Sequence, residues 1–404
     1  MAGMVIIGAG MAGHRAIISF RASNYDGPIT LIGEEALMPY DRPPLSKASI
    51  ADEAEPTPVW LMDEGIAASL KADVRRGVAA KAIDRQNKTV ALADGGMVPY
   101  ARLLIATGAK PRKLSLPGGE HALLLRNFED TLLLRRKFLP DKRIVIIGGG
   151  FIGLELASSA AKRGCKVTLI EALPRILMRG VPETIAAIVH ARHVAAGVNM
   201  LTGTAISALE SDAAVLVDGR RIKADTIVAG IGAAPDVALA QGAGLVLDNG
   251  IAVDGTLQTS DPDIFAAGDC CSFPHPVFGN RRIRLEAWRN AQDQGSLAAE
   301  NMLGAAKTYK AVPWFWSDQY ELSLQVAGLS DAGSRTVERR SSPETLLLFH
   351  LDEAGTIKGA SGIGPGNSIA RDVKLAEMLI AKEAKPDLAA LADPAVQLKT
   401  LLKG

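Results

Sequence analysis

Two glycine triplets have the spacing that dinucleotide chemistry needs. Gly8-x-Gly10-x-x-Gly13 follows the apolar run Met4–Ile7, and Gly148-x-Gly150-x-x-Gly153 follows Ile144–Ile147. In such a triplet the first glycine permits a tight turn, and the second lets a pyrophosphate approach the backbone. The third lets helix and strand pack closely. The helix that opens there presents free N–H groups and the positive end of its dipole to phosphate. Ala12 and Ile152, inside the two triplets, are counted with these cradles. One triplet alone is a weak signal, whereas two, each preceded by a strand and followed by an acid, are specific.

The acids refine the reading. Glu171 ends the strand after the second triplet, where a carboxylate hydrogen-bonds the ribose hydroxyls and repels a 2′-phosphate. The expected nucleotide is therefore NADH rather than NADPH, although Arg175 and Arg179 nearby argue the other way. After the first triplet the corresponding acid is Glu34, with Glu35 as the alternative.

Each triplet is followed by an Ala-rich helical stretch and a short β-type run, Ile29–Ile32 in the first copy and Lys166–Ile170 in the second. Further hydrophobic runs, 101–108 and 225–232, close at matching places and put Thr107, Gly108 and Gly232 at strand ends. This is strand, turn, helix, strand twice over, the unit of a doubly wound parallel α/β sheet. A third run, Asp263–Asp269, follows the second half. After about Tyr309 the pattern changes to clustered aromatics, alternating β-type runs such as Thr345–His350, and a charged helical segment over 370–382. That tract reads as a separate α+β domain.

The 404 residues are enough for two or three domains, and 48% hydrophobic content supplies their cores. Lys+Arg (45) and Asp+Glu (44) nearly cancel, which gives no support for nucleic acid or an anionic membrane as a general partner. No apolar segment reaches the roughly 18 residues of a membrane span, and the first residues lack a secretory pattern. Cytoplasmic residence is expected. Cys165, Cys270 and Cys271 read as buried or partly buried bystanders. No histidine pair has zinc-type spacing, and His190 and His193 read as surface residues of an Ala-rich helix, so no metal is expected. No long apolar seam is evident, which favours a monomer.

A set of motifs carries a family resemblance: Arg42-Pro43-Pro44-Leu45-Ser46-Lys47, Ala106-Thr107-Gly108-Ala109, Gly148 to Glu155, Ala266-Ala267-Gly268-Asp269, and Pro313-Trp314-Phe315-Trp316-Ser317-Asp318-Gln319. Together they resemble the FAD-dependent ferredoxin reductases of the putidaredoxin-reductase type, including the reductase components of aromatic-ring dioxygenases. The resemblance implies two Rossmann-like domains and an α+β interface domain. The expected divisions are an FAD-binding domain over 1–110 and 239–312, an NAD-binding domain over 111–238, and the interface domain over 313–404. It also implies a route in which NADH reduces FAD, and electrons then pass singly to a [2Fe–2S] ferredoxin feeding a haem monooxygenase or ring-hydroxylating dioxygenase.

Residue by residue, the resemblance implies that Lys47 sits by the isoalloxazine ring and that Asp269 binds the ribityl chain. It implies further FAD contacts at Arg42, Val78 (through its main chain), Arg126 and Trp288. Glu155 is expected near the nicotinamide carboxamide, and Trp316 near flavin and nicotinamide; a capping role for the acid and a core role for the indole compete with these. Relatives that reduce disulfides carry one or two cysteines near residues 41–50, and this chain has none there. The dense basic stretch Arg281, Arg282, Arg284 and Arg289 is either a docking rim for an acidic ferredoxin or a solvated hairpin. Alternatives to the leading reading are a rubredoxin or monodehydroascorbate reductase, or an NADH-responsive interaction flavoprotein.

Overall fold

The computed structural model describes residues 2–403. The chain divides into two compact units: Met1–Asp41 with Pro58–Lys110 and Ala234–Ala311, and Arg42–Thr57 with Pro111–Ala233 and Val312–Gly404.

In the first unit a five-strand parallel core runs Ala72–Arg75, Ile29–Ile32, Gly3–Ile7, Met97–Ile105, Ile264–Ala266. The Ile, Val and Leu side chains of the strands Gly3–Ile7 and Ile29–Ile32 are buried on both faces, as a parallel sheet covered on both sides requires. Two antiparallel strands, Ala80–Asp84 and Thr89–Leu92, extend the sheet beyond Met97–Ile105. The helices Met11–Ala22 and Trp288–Met302 pack on each other, and Gly295 makes this possible because a Cβ there would strike the Ala12 backbone.

The second unit repeats the parallel order with Asn199–Leu201, Lys166–Ile170, Arg143–Ile147, Thr226–Ala229 and Ala122–Leu123. It also holds a five-stranded antiparallel sheet in the order 314–319, 322–328, 357–365, 345–351, 335–342, covered by the helix Ala370–Ala381. Ile144, Ile146, Leu154 and Leu156 share one hydrophobic core with Leu324, Val326, Leu346 and Ile363.

The segment Arg42–Thr57 belongs to this second unit although its chain neighbours on both sides belong to the first. Arg135 holds it there. The guanidinium of this buried arginine donates to the carbonyls of Ile50, Asp52, Glu53 and Ala54 at 2.5–3.0 Å. Thr131 Oγ1 donates to the Leu45 carbonyl at 3.2 Å, and Ser159 Oγ donates to that of Ser46 at 2.7 Å.

Candidate active site

The two glycine triplets have the same geometry. Gly8 and Gly148 have φ of +118° and +108°, a region that disfavours a side chain. A Cβ on Gly8 would strike the Ala106 carbonyl, and one on Gly148 would strike that of Gly230, the residues that directly follow the neighbouring strands Met97–Ile105 and Thr226–Ala229. A Cβ on Gly13 or Gly153 would run into the carbonyl of Gly8 or Gly148. The third glycine therefore sets the helix against its strand in both copies. The second glycine differs: a Cβ on Gly10 would meet nothing within 4 Å, and one on Gly150 only the Gly230 carbonyl at 4.0 Å. Both are N-caps, of the helices Met11–Ala22 and Phe151–Lys162, and neither helix has a side-chain cap. The first-turn N–H groups thus face an open cradle that a side chain would fill and that a pyrophosphate fits.

Around the first cradle, Glu35 Oε2 accepts from the Tyr40 hydroxyl at 2.5 Å, while Glu34 is exposed. The Val78 N–H donates to the Gly33 carbonyl at 3.1 Å, which sets Val78 beside the strand end that carries Glu34. Thr107 Oγ1 donates to the Asp236 carbonyl at 2.6 Å, and the Gly108 carbonyl accepts from Asp236 N–H at 2.9 Å. Gly268, at φ +84°, donates its N–H to Gln294 Oε1 at 2.8 Å, which fixes the turn into Asp269. Trp288 opens its helix and donates its indole N–H to Asp41 at 2.6 Å.

Around the second cradle, the Glu171 carboxylate accepts from Gly149 N–H at 2.6 Å and from Leu173 N–H at 2.8 Å. One bond on each oxygen leaves the remaining lone pairs available to ribose hydroxyls. Gly232 has φ +97° and open space where a Cβ would point. Arg42 donates to the Arg126 carbonyl at 2.8 Å, so two expected cofactor residues touch each other.

The second unit also buries an ionic cluster. Glu155, only 4% exposed, lies in the second turn of the helix Phe151–Lys162, past the first turn where an acid would cap the helix. Its Oε1 is 3.3 Å from Lys47 Nζ and accepts from the Ser317 hydroxyl at 2.6 Å, and its Oε2 accepts from the Ser46 hydroxyl at 2.5 Å. Lys47 also lies 5.6 Å from the Trp316 ring centroid, within cation–π range. Trp316 stacks on Trp314 at 5.2 Å and is half-buried, so it is no ordinary core residue. All three residues expected to be catalytic meet here. Ser46 and Ser317, which complete the cluster, lay inside the quoted motifs, but no spacing rule marked their hydroxyls.

His193 corrects the surface reading: it is fully buried, and burial lowers its pKa to about 4. A helix position three residues from a half-exposed His190 looked solvated in one dimension, but the strand Trp314–Gln319 supplies Gln319 as its partner. Among the cysteines, Cys270 and Cys271 are buried, and burial raises both thiols. Burial pushes Cys165 up to about 11. None is the low-pKa thiol that disulfide chemistry needs. In the basic stretch, Arg282 donates to the carbonyls of Ser272 and Val253 at 2.7 and 3.0 Å, and Arg284 pairs with Glu286 at 2.7 Å. These two guanidinium groups are engaged within their own unit.

Residues 3–295 match the family described as pyridine nucleotide-disulphide oxidoreductase. The chain belongs to that family. Residues 314–402 match the reductase C-terminal family, which covers the antiparallel sheet and its helix. The chain is 40% identical to the ferredoxin–NAD(+) reductase component of the anthranilate 1,2-dioxygenase system of Burkholderia cepacia, over 98% of each protein. It is 38% identical to the putidaredoxin reductase of Pseudomonas putida, over 86% of this chain and 85% of that one. A rubredoxin–NAD(+) reductase of Pseudomonas putida is also 38% identical, over 80% of this chain and 86% of its own. Among solved structures, a covalent putidaredoxin reductase–putidaredoxin complex superimposes with a TM-score of 0.93 at 34% identity, covering 100% of this chain and 98% of that one. No helix among the described residues is long and apolar enough to cross a membrane.

Proposed function

We propose that this member of the pyridine nucleotide-disulphide oxidoreductase family is an FAD-dependent NADH:ferredoxin reductase. Its partner is a [2Fe–2S] ferredoxin that feeds an oxygenase, and its place is the cytoplasm. The observation that carries the reading is the Lys47–Glu155 pair. Disulfide-reducing relatives place cysteine near residues 41–50, whereas this chain holds a lysine ion-paired to a buried carboxylate there. No thiol in that segment can take the electrons, so they go to another protein. The relatives named as ferredoxin–NAD(+) reductase components, and the solved complex with putidaredoxin, support the same destination.

When bound, FAD supplies two-electron acceptance from NADH and one-electron release. The residues of this chain do the rest. Gly8, Gly10, Ala12 and Gly13 hold the FAD pyrophosphate and Glu34 its ribose, with Arg42, Val78, Thr107, Gly108, Arg126, Asp269 and Trp288 as further contacts. Gly148, Gly150, Ile152, Gly153 and Gly232 hold NADH, and Glu171 its adenine-side ribose. Lys47, Glu155 and Trp316 are the catalytic residues: with FAD and NADH bound, the ammonium would stabilise negative charge on the flavin, the carboxylate would accept from the nicotinamide carboxamide, and the indole would lie near both. In domain terms, 1–110 with 239–312 binds FAD, 111–238 binds NADH and 313–404 is the interface domain.

The test is reduction of a [2Fe–2S] ferredoxin by the FAD-loaded protein and NADH, with rubredoxin, ascorbate radical and dioxygen as competing acceptors. Ferredoxin is expected to be reduced fastest. Faster rubredoxin reduction would move the chain to the branch of its rubredoxin reductase relative.

A further inference from the structure

Beyond the Lys47–Glu155 pair, a line of buried polar groups runs away from Glu155. Ser317 Oγ is 2.6 Å from Glu155 Oε1, and Gln319 Nε2 is 3.2 Å from Ser317 Oγ. Gln319 Oε1 is 2.8 Å from His193 Nε2, and the Tyr320 hydroxyl is 3.3 Å from His193 Nδ1. Ser317, Gln319 and His193 are 1%, 4% and 0% exposed. Arg192 closes the outer end, stacked 4.0 Å over the Tyr320 ring and forked onto Glu321 at 2.6 and 2.9 Å.

Counting protons gives this line one direction. An ionised carboxylate only accepts, so with Lys47 beside Glu155 the single proton of Ser317 is directed to Glu155. The Ser317 oxygen must then accept, and the Gln319 amide N–H is its donor. That orientation turns the Gln319 oxygen towards His193, and an amide oxygen cannot donate. His193 Nε2 must therefore carry the ring proton, and Nδ1 is left to accept from Tyr320. Burial, with a pKa lowered to about 4, keeps the ring neutral. The charged and titratable groups around the line are Lys47 at the inner end and Arg192, His190, Tyr320 and Glu321 at the outer end. The amide does not relay protons, so the line is a directional clamp and no proton wire.

We propose that Gln319 and His193 are positioning residues that hold the Ser317 hydroxyl in its donor sense and so keep Glu155 an acceptor facing Lys47. This inference rests on the proposed catalytic reading of Glu155. In Gln319→Glu the new carboxylate accepts from both His193 and Ser317, which turns the serine proton away from Glu155. In Ser317→Ala the same donor is simply absent.

The test uses the FAD-loaded protein in two ways. Nitrogen-15 NMR of the unmodified protein, labelled at its six histidines, is expected to show His193 protonated at Nε2 alone, and Gln319→Glu is expected to raise the pH at which His193 gains a second proton. Rapid-mixing measurement of flavin reduction by NADH is expected to slow about tenfold in Ser317→Ala and similarly in Gln319→Glu, the loss typical of one hydrogen bond to a charged group. The double variant should show no further loss, because both changes remove one interaction. An Nδ1–H tautomer, or a Gln319→Glu rate equal to that of the unmodified protein while Ser317→Ala is slow, would overturn the inference alone. An unchanged rate in Glu155→Gln would overturn the catalytic reading and the inference with it.

Discussion

Lys47 Nζ and Glu155 Oε1 lie 3.3 Å apart within the second unit, one residue on the segment Arg42–Thr57 and the other on the helix Phe151–Lys162. Two serine hydroxyls satisfy the carboxylate further. A buried charge survives only when paired and hydrogen-bonded in this way. Lys47→Met leaves Glu155 buried without its cation. The expected outcome is a loss of about 2–3 kcal/mol in chemical denaturation, at the low end for a buried pair because Lys47 is partly exposed, together with slower flavin reduction by NADH. Unchanged values of both would mean that the pair is incidental.

Arg135 fixes where Lys47 can be. Arg135→Ala removes the donors for four consecutive-region carbonyls and is expected to destabilise the fold by roughly 3 kcal/mol. Arg135→Lys should recover only part of this, because an ammonium lacks the planar fork that reaches several carbonyls. Thermal unfolding of the two variants reads the difference, and equal midpoints would refute the clamp.

Glu171 holds the Gly149 and Leu173 N–H groups in addition to its proposed ribose role. Glu171→Ala should therefore weaken NADH about tenfold or more and narrow the preference over NADPH. Titration of both nucleotides measures this. If the unmodified protein already preferred NADPH, the ribose assignment would be wrong.

The glycines separate folding from binding. Gly13→Ala collides with backbone and should lower stability. Gly10→Val meets open space in the protein and should leave the circular dichroism unchanged while the purified chain loses its flavin absorbance. A fully flavinated Gly10→Val protein would show that the first cradle does not hold the FAD pyrophosphate.

Acid should destabilise the chain before its carboxylates titrate. His14, His193 and His350 all have pKa values lowered to about 4, chiefly by burial. Between pH 6.5 and 4 the unfolded chain binds protons that the folded chain refuses, so stability falls as pH drops through that window, by roughly 3 kcal/mol per histidine. Thermal midpoints measured from pH 7 to pH 4.5 should decline steadily. A flat profile would mean that these rings are protonated in the fold.

Much of this was legible in the sequence because it depends on local constraints. The strands Ile29–Ile32 and Lys166–Ile170 and both glycine turns follow from apolar runs and from backbone conformations that only glycine tolerates. Glu155 and Lys47 were legible through a family pattern. The groups that complete the site were not, because their chemistry comes from long-range packing. His193 sits on a helix that looks solvated, and Gln319 on a strand 126 residues further along. Arg135 reads as one more cation in the last turn of a helix, and only the fold shows that its charge faces inward onto carbonyls.

The proposed electron path is tested most directly by the stoichiometry and rate of electron delivery from NADH through the FAD-loaded protein to a [2Fe–2S] ferredoxin. Two ferredoxins are expected to be reduced per NADH consumed, with NADPH a poor substitute and with turnover lost in Glu155→Gln. Rapid NADH consumption with ferredoxin left oxidised, whatever its source, would contradict that path.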